Sequence, residues 1–572
     1  MKSQFWKFYA LFLGFIVSTC GEVFAQKPLN PAKPTGASSI VEVLNADIQD
    51  GVNLKDMQTQ TFTGNVIFRH EGVLMGTNKA IQNTTTNIME AFGNIKINQG
   101  DTLTIVGDTL YYEGNTRIAT IWGRSVVLRD KKVTLRTKKV IYNMASGMAY
   151  YPVPGEIMQD SSKLTSKTGY YNTNTKYFNY IGDVEVVNPQ FVLCTDSMDY
   201  DTHSKKAIFK SLTTIRGESG DLTAERGWYN IQTKESYFSG RSKVDNEKYI
   251  LIGDTLNYDS QKDFGWARGN VVFVSKTDSL ITVGNEAIRV GSQGITKVNG
   301  ETITKLISAK DTTYLAAEAL RIIEKTDTLS LKGDSVPVLQ DSLSVNLAVK
   351  PSDSLQVTKT GREGPSRENV QFVIATGGVK VFRPDMQSLS DSLIYNMLDS
   401  TIGYYQNPIL WHKKNQIKAD SIDVFMKNNR IYKMEMIRNC FIIEEDTLHN
   451  YNQIKGRHIE AYFTDSSQID RINIFGNAES KFFVLDDNMK IVGLNTQQGS
   501  SMTFLFSGGE LEFIKAYTDV DEETIPPSEL TMSKARFEDF DYRIADKPSK
   551  ESILQLKHGK LLSETNLEGT TE

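Results

Sequence analysis

Six histidines carry most of the acid–base and metal-binding chemistry available to this sequence: His70, His203, His412, His449, His458 and His558. None sits in an HExxH pair or at another spacing that places two ligands on one face, so no metal site is expected. The nucleophile elbow, the phosphate-cradling loop and the dinucleotide fingerprint are also missing. The chain is therefore read as non-enzymatic, with no cofactor and no metal. The mature cysteines, Cys194 and Cys440, lie far apart and are expected as two buried thiols rather than a disulfide.

Two further sets of charged residues could do work. Arg124, Arg129, Lys131 and Lys132, continued by Arg136, Lys138 and Lys139, face only Asp130 in opposition. Such a cluster suits phosphate or sugar-acid head groups, and equally a solvated strand face. The carboxylates recur in Asp-Ser/Thr-Leu/Ile/Met triplets opened by Asp108, Asp196, Asp254, Asp278, Asp391 and Asp420. A triplet that follows the repeat is a structural device, read here as a turn or strand-entry residue. The net charge of −5 argues against nucleic acid as partner.

What positions these residues is a repeat. Tyr112, Tyr142, Tyr171, Tyr200, Tyr229 and Tyr258 follow one another at steps of 30 or 29. A second column, Gly64, Gly93, Gly123, Pro152, Gly182, Ser211, Gly240 and Gly269, keeps the same period. Two columns in one period identify stacked units, each contacting its neighbours. Apolar residues at i and i+2, Val/Ile/Thr/Tyr content and Asn/Asp/Gly turns make each unit a strand out and a strand back. The fold class is all-β, built from repeats of about 29 residues.

Stacking aligns Val66 and Phe68, Ile95 and Ile97, Val126 and Leu128, Val184 and Val186, and Val271 and Phe273 into one apolar stripe. Two outcomes are open: a sealed, side-chain-filled core, or walls far enough apart to admit acyl chains.

In chain order, residues 1–25 read as a signal peptide, with Lys2 and Lys7 before a short apolar run and an exit at Ala25. Cys20 is a weak candidate for lipidation. Residues 26–60 form a linker and first strands, and 61–324 the first repeat array. Residues 325–368, rich in Ser, Thr and Asp, form a flexible insertion. A second array covers 369–518, and a polar tail, capping or disordered, covers 519–572.

The runs Phe62-Thr63-Gly64-Asn65-Val66, Ala91-Phe92-Gly93-Asn94-Ile95 and Ile252-Gly253-Asp254-Thr255-Leu256-Asn257-Tyr258 resemble the OstA/LptA-like family. The resemblance covers residues 61–290 well and 372–506 loosely. It implies an elongated open β-jelly-roll, or β-taco, in the periplasm or at the outer membrane. It further implies a lipopolysaccharide or related glycolipid as ligand, and other jelly-roll transport proteins joined edge to edge. On that basis the apolar stripe would line the acyl groove, and Arg124, Arg129, Lys131 and Lys132 would meet head groups. The alternative is a structural or protein-interaction β-solenoid with a sealed core.

Overall fold

Glycine followed by a second left-handed residue, most often asparagine or aspartate, is the local signal that bends many of the long strands. Gly64, Gly93, Gly182, Gly240, Gly269, Gly300, Gly377 and Gly476 all have positive φ, and so does the residue after each. Two successive left-handed residues cannot continue a pleated strand, so the ladder shifts register there, as between Thr63 and Val66 or Phe92 and Ile95. The strand folds over at this point. Phe62 and Phe68 lie on either side of the bend in the strand Met57–His70, with ring centroids 5.8 Å apart. Six residues of straight strand would separate them by about 20 Å. Each strand thus has two arms that face each other.

The computed structural model describes residues 40–324 and 370–567, except 55, 56, 218, 219, 260, 263, 309, 310, 487 and 489. The expected signal peptide, Cys20 and the 325–368 insertion lie outside these residues. By contacts the chain divides into Met1–Tyr177 and Phe178–Glu572. Among the described residues there are 36 strands and three short α-helices. No described helix is long and apolar enough to cross a membrane.

In the first unit, successive strands pair antiparallel as hairpins. Cross-strand partners align Phe68, Met75, Ile97, Ile105, Leu128, Leu135, Ile157 and Leu164 as one inward row. On the other arm the row runs Tyr112, Ala119, Tyr142, Ala149, Tyr171. Large and small side chains alternate there, so adjacent rings do not collide.

In the second unit the strand Thr312–Glu324 pairs directly with Val370–Arg383. Within this unit the repeats before and after the insertion are thus one ladder. The tail is ordered where described. Gln416 and Gln453, both buried, each use their amide to hold its backbone: Gln416 with Asp541 and Arg543, Gln453 with Ala535 and Phe537. The helices Lys550–Leu554 and Gly559–Glu564 place Ile553 and Leu562 on Ile252, Val272, Val274, Ile281 and Val283. That explains why strands such as Phe264–Ser275 are buried on both faces near their ends.

The aspartate triplets are not uniformly strand-entry residues. Asp108 and Asp254 lie mid-strand, opposite the bend. Asp108 accepts a hydrogen bond from the Arg124 backbone N–H at 2.8 Å, and Asp254 from Asn270 Nδ2 at 2.9 Å. Asp47 does the same for Asn65, and Asp420, just ahead of the strand Ser421–Lys427, for Asn439. A Cβ on Gly64 would collide with the Asp47 carboxylate, whereas one on Gly72 would meet open space. Both glycines have positive φ. Gly72→Ala should therefore cost about 1–2 kcal/mol from backbone strain alone. Gly64→Ala should cost roughly 1–3 kcal/mol more, read from urea unfolding of each variant. Equal losses would remove the opposing aspartate from the account.

Candidate functional site

The sequence-expected lining residues all face inward. Val66, Phe68, Ile95, Ile97, Val126, Leu128, Val184, Val271 and Phe273 are at most 1% exposed, and Val186 is half-buried. In the first unit this interior is packed. It is less so in the second, where Leu193, Ile215, Leu222 and Val244 form one cross-strand row. Leu193 is buried, but Ile215, Leu222 and Val244 are half-exposed. Tyr200, Tyr229 and Tyr258 are half-buried, unlike Tyr112, Tyr142 and Tyr171.

The edge where the two arms of the first unit meet is closed by polar pairs. His70 Nδ1 and the Tyr112 hydroxyl share a 2.5 Å hydrogen bond. Tyr142 donates to Gln99 Oε1 at 2.5 Å, and Tyr171 donates to Asp130 Oδ2 at 2.7 Å. Lys176 pairs with the same Asp130 oxygen, and Arg117 bonds Glu71 at 2.5 Å just outside. The first partners step by 29 and 31 (99−70, 130−99), so the pairs recur with the repeat. Each joins the tip of one arm to the tip of the other, 41 to 43 residues later. Burial pushes all three tyrosine pKa values up, and for Tyr171 the hydrogen bond and charge of Asp130 push further. They remain protonated donors at physiological pH.

Sequence reading missed this seam. Tyr112, Tyr142 and Tyr171 were visible as a column, but their partners are three different residue types one and a half repeats away. The basic cluster divides. Lys131 and Lys132 form the turn after Asp130, and exposed Arg129 precedes it, so these three sit at the seam. Arg124, exposed as well, lies at the bend instead. Asp130 is not part of the surface; it is buried beneath the cluster.

In the second unit the arms separate around a cavity of about 330 Å³. Its rim carries the polar cross-strand row His412, Asn415, Glu444, Asn452. Two residues deeper on the same strands lie Ile442 and Ile454. The opposing wall is Ile469, Ile472 and Phe506. His412 is buried, and neither ring nitrogen has a hydrogen-bond partner. Burial, then the charges of Lys413 and Lys547, lower its pKa to about 4. Burial raises the Glu444 pKa.

Among the described residues one group, Glu435, His458 and Glu460, is close enough to hold a metal ion. The Lys433 ammonium already sits there, 2.9 Å from Glu460 and 3.3 Å from Glu435. It supplies the positive charge that a metal would bring. The two thiols are free; Cys440 is buried as expected, but Cys194 is exposed.

With this geometry established, the comparisons can be placed. A family model described as OstA-like protein matches residues 38–196 and 188–254. Over these residues the chain is OstA-like, as its repeat motifs suggested. No curated protein matches the chain. Among solved structures it is similar to LptH, the LptA homologous periplasmic component of the conserved lipopolysaccharide transport device from Pseudomonas aeruginosa. That match has 10% identity and a TM-score of 0.20, covering 25% of this chain and 95% of that one.

Two outcomes follow from the polar groups. Tyr171→Phe removes a hydrogen bond to a buried carboxylate and should cost about 1.5–3 kcal/mol, against about 1 kcal/mol for Tyr142→Phe, whose acceptor is a neutral amide. Denaturant unfolding of the two variants measures the difference. His412 binds a proton more readily unfolded, near 6.5, than folded, near 4. Its contribution is therefore constant above about pH 6.5, and stability falls by about 1.4 kcal/mol per pH unit between there and pH 4. His412→Phe should flatten that part of the stability–pH curve.

Proposed function

We propose that this OstA-like chain is a non-enzymatic lipopolysaccharide-binding transport protein of the periplasm, sheltering acyl chains between the folded arms of its strands. The observation that supports this most is the construction of the interior. Two apolar walls face each other along many strands and meet at an edge held by a few polar pairs. Arg129, Lys131 and Lys132 stand beside that seam, where the phosphates of a glycolipid would emerge. Arg124, at the bend, is not assigned to head-group contact. The half-exposed row Ile215, Leu222 and Val244 is where an acyl chain would meet least resistance. Unpaired strand edges at the ends of such ladders suit edge-to-edge joining with other jelly-roll transport proteins.

A second reading, a structural or protein-interaction β-solenoid, is favoured by one specific observation. Val66, Phe68, Ile97, Val126 and Leu128 are fully packed without ligand. The transport reading therefore requires the arms to part. Photoreactive side chains at Ile215 and Leu222, and at Phe68, Ile97 and Leu128, separate the two. Capture of lipopolysaccharide at the first pair and at one or more of the second set is expected. Capture at none of the five positions, in protein purified without detergent, would leave only the sealed solenoid.

A further inference from the structure

The cavity beside His412 combines an apolar floor with an unmet polar requirement at its rim. A neutral imidazole has one donor and one acceptor. In His412 both are buried without partners, which costs stability unless something else supplies them. The neighbouring ring of Phe463 packs edge-on against the imidazole and offers no hydrogen bond. At the corresponding place in the first unit, His70 has Tyr112.

The surroundings define what would fit. The floor is apolar, from Ile442, Ile454 and Phe482, and is closed opposite by Ile472 and Phe506. The volume of about 330 Å³ is at the lower end of small-ligand sites. It accommodates a single chain more readily than a multi-acyl lipid. At the rim, Lys413 and Lys414 form the two-residue turn directly after His412, and both are exposed. Two exposed ammonium groups at the mouth complement an anionic head. Glu444, the one carboxylate in the lining, accepts a hydrogen bond from Asn452. Its burial favours the protonated form, which limits repulsion of an anion.

We infer that this cavity binds one single-chain amphiphile with an anionic head group. The alkyl chain would lie on Ile442, Ile454 and Phe482, the head would sit at Lys413 and Lys414, and the His412 ring, turning toward the cavity, would hydrogen-bond the head's innermost oxygen. The inference rests on reading the interior as a shelter for acyl chains, and assigns this stretch a ligand of its own.

The test uses the full mature chain and titration calorimetry below micellar concentrations. Dodecanoate and dodecyl phosphate should each bind with one-to-one stoichiometry. Dodecyltrimethylammonium should bind at least tenfold more weakly, and inorganic phosphate not measurably. His412→Phe should weaken dodecanoate about tenfold while leaving the melting temperature unchanged or higher, because it removes an unsatisfied group. Ile454→Trp, which fills the floor, should abolish binding. The inference is overturned if wild-type protein binds no dodecanoate, if the cationic amphiphile binds as well, or if His412→Phe binds dodecanoate unchanged. Lipopolysaccharide capture at Ile215, Leu222, Phe68, Ile97 and Leu128 in protein with His412 intact separates the two ideas. Capture there without dodecanoate binding sinks only this site, while failure of both sinks the parent reading.

Discussion

The arrangement depends on the backbone being forced left-handed twice in succession near the centre of many of the long strands, each paired with a strand that is not. One such residue is a turn; two in a row fold a strand over itself. Where glycine takes the first position the steric cost is small, but the second is usually Asn, Asp, Arg or Glu. A non-glycine residue there carries strain of about 1–2 kcal/mol. A carboxylate from the neighbouring strand offsets it by gripping the bend, as Asp47 and Asp254 do. The pairing is periodic because the strain is periodic. In the strand Arg430–Glu445 the bend is made without glycine, by Arg438 and Asn439, and Asp420 binds both side chains. The contact therefore matters more than the glycine.

Folding every strand at the same height turns one ladder into two facing walls, and the rest follows from filling the space between them. Near the bend small β-branched residues suffice. Further out the gap widens, and tyrosines alternating with alanines fill it. A buried tyrosine brings a hydroxyl that needs a partner. His70, Gln99 and Asp130 on the opposite arm supply it, and in doing so close the edge. Two departures from this logic stand out in the second unit. Ile215, Leu222 and Val244 lack full cover, and His412 lacks a polar partner.

The sequence exposed what is periodic and hid what is not. Tyrosine and glycine columns with i, i+2 alternation were enough for an all-β repeat and for naming the inward-facing residues. The bend was latent in the glycine column, but the aspartate triplet gave no sign of facing it across a strand. Reading Asp108 as a strand-entry residue failed because register, not composition, places it. The seam was illegible for a related reason. His70, Gln99 and Asp130 share a position in the repeat but not a chemical type, and each meets a tyrosine more than 40 residues away. The tail was read as capping or disordered because its composition is polar. Gln416 and Gln453 hold it through its backbone, which composition does not report. Cys194, expected as a buried thiol, points outward on its strand.

On the transport reading, a packed interior and a lipid-carrying one would be close in free energy. Parting the arms locally would break a seam pair worth about 1–3 kcal/mol and separate apolar walls that touch only each other. An acyl chain sliding between them would restore that contact and bury its own surface at about 0.8 kcal/mol per CH₂. Ten methylenes, at about 8 kcal/mol on the same scale, outweigh two seam pairs, at about 2–6 kcal/mol together. The periodic construction matters here, because pairs are broken singly and can re-form behind a moving chain. A seam of identical apolar contacts would either stay shut or open along its length. Polar pairs spaced one repeat apart make opening local, which on the transport reading is what a chain passing from one repeat to the next requires.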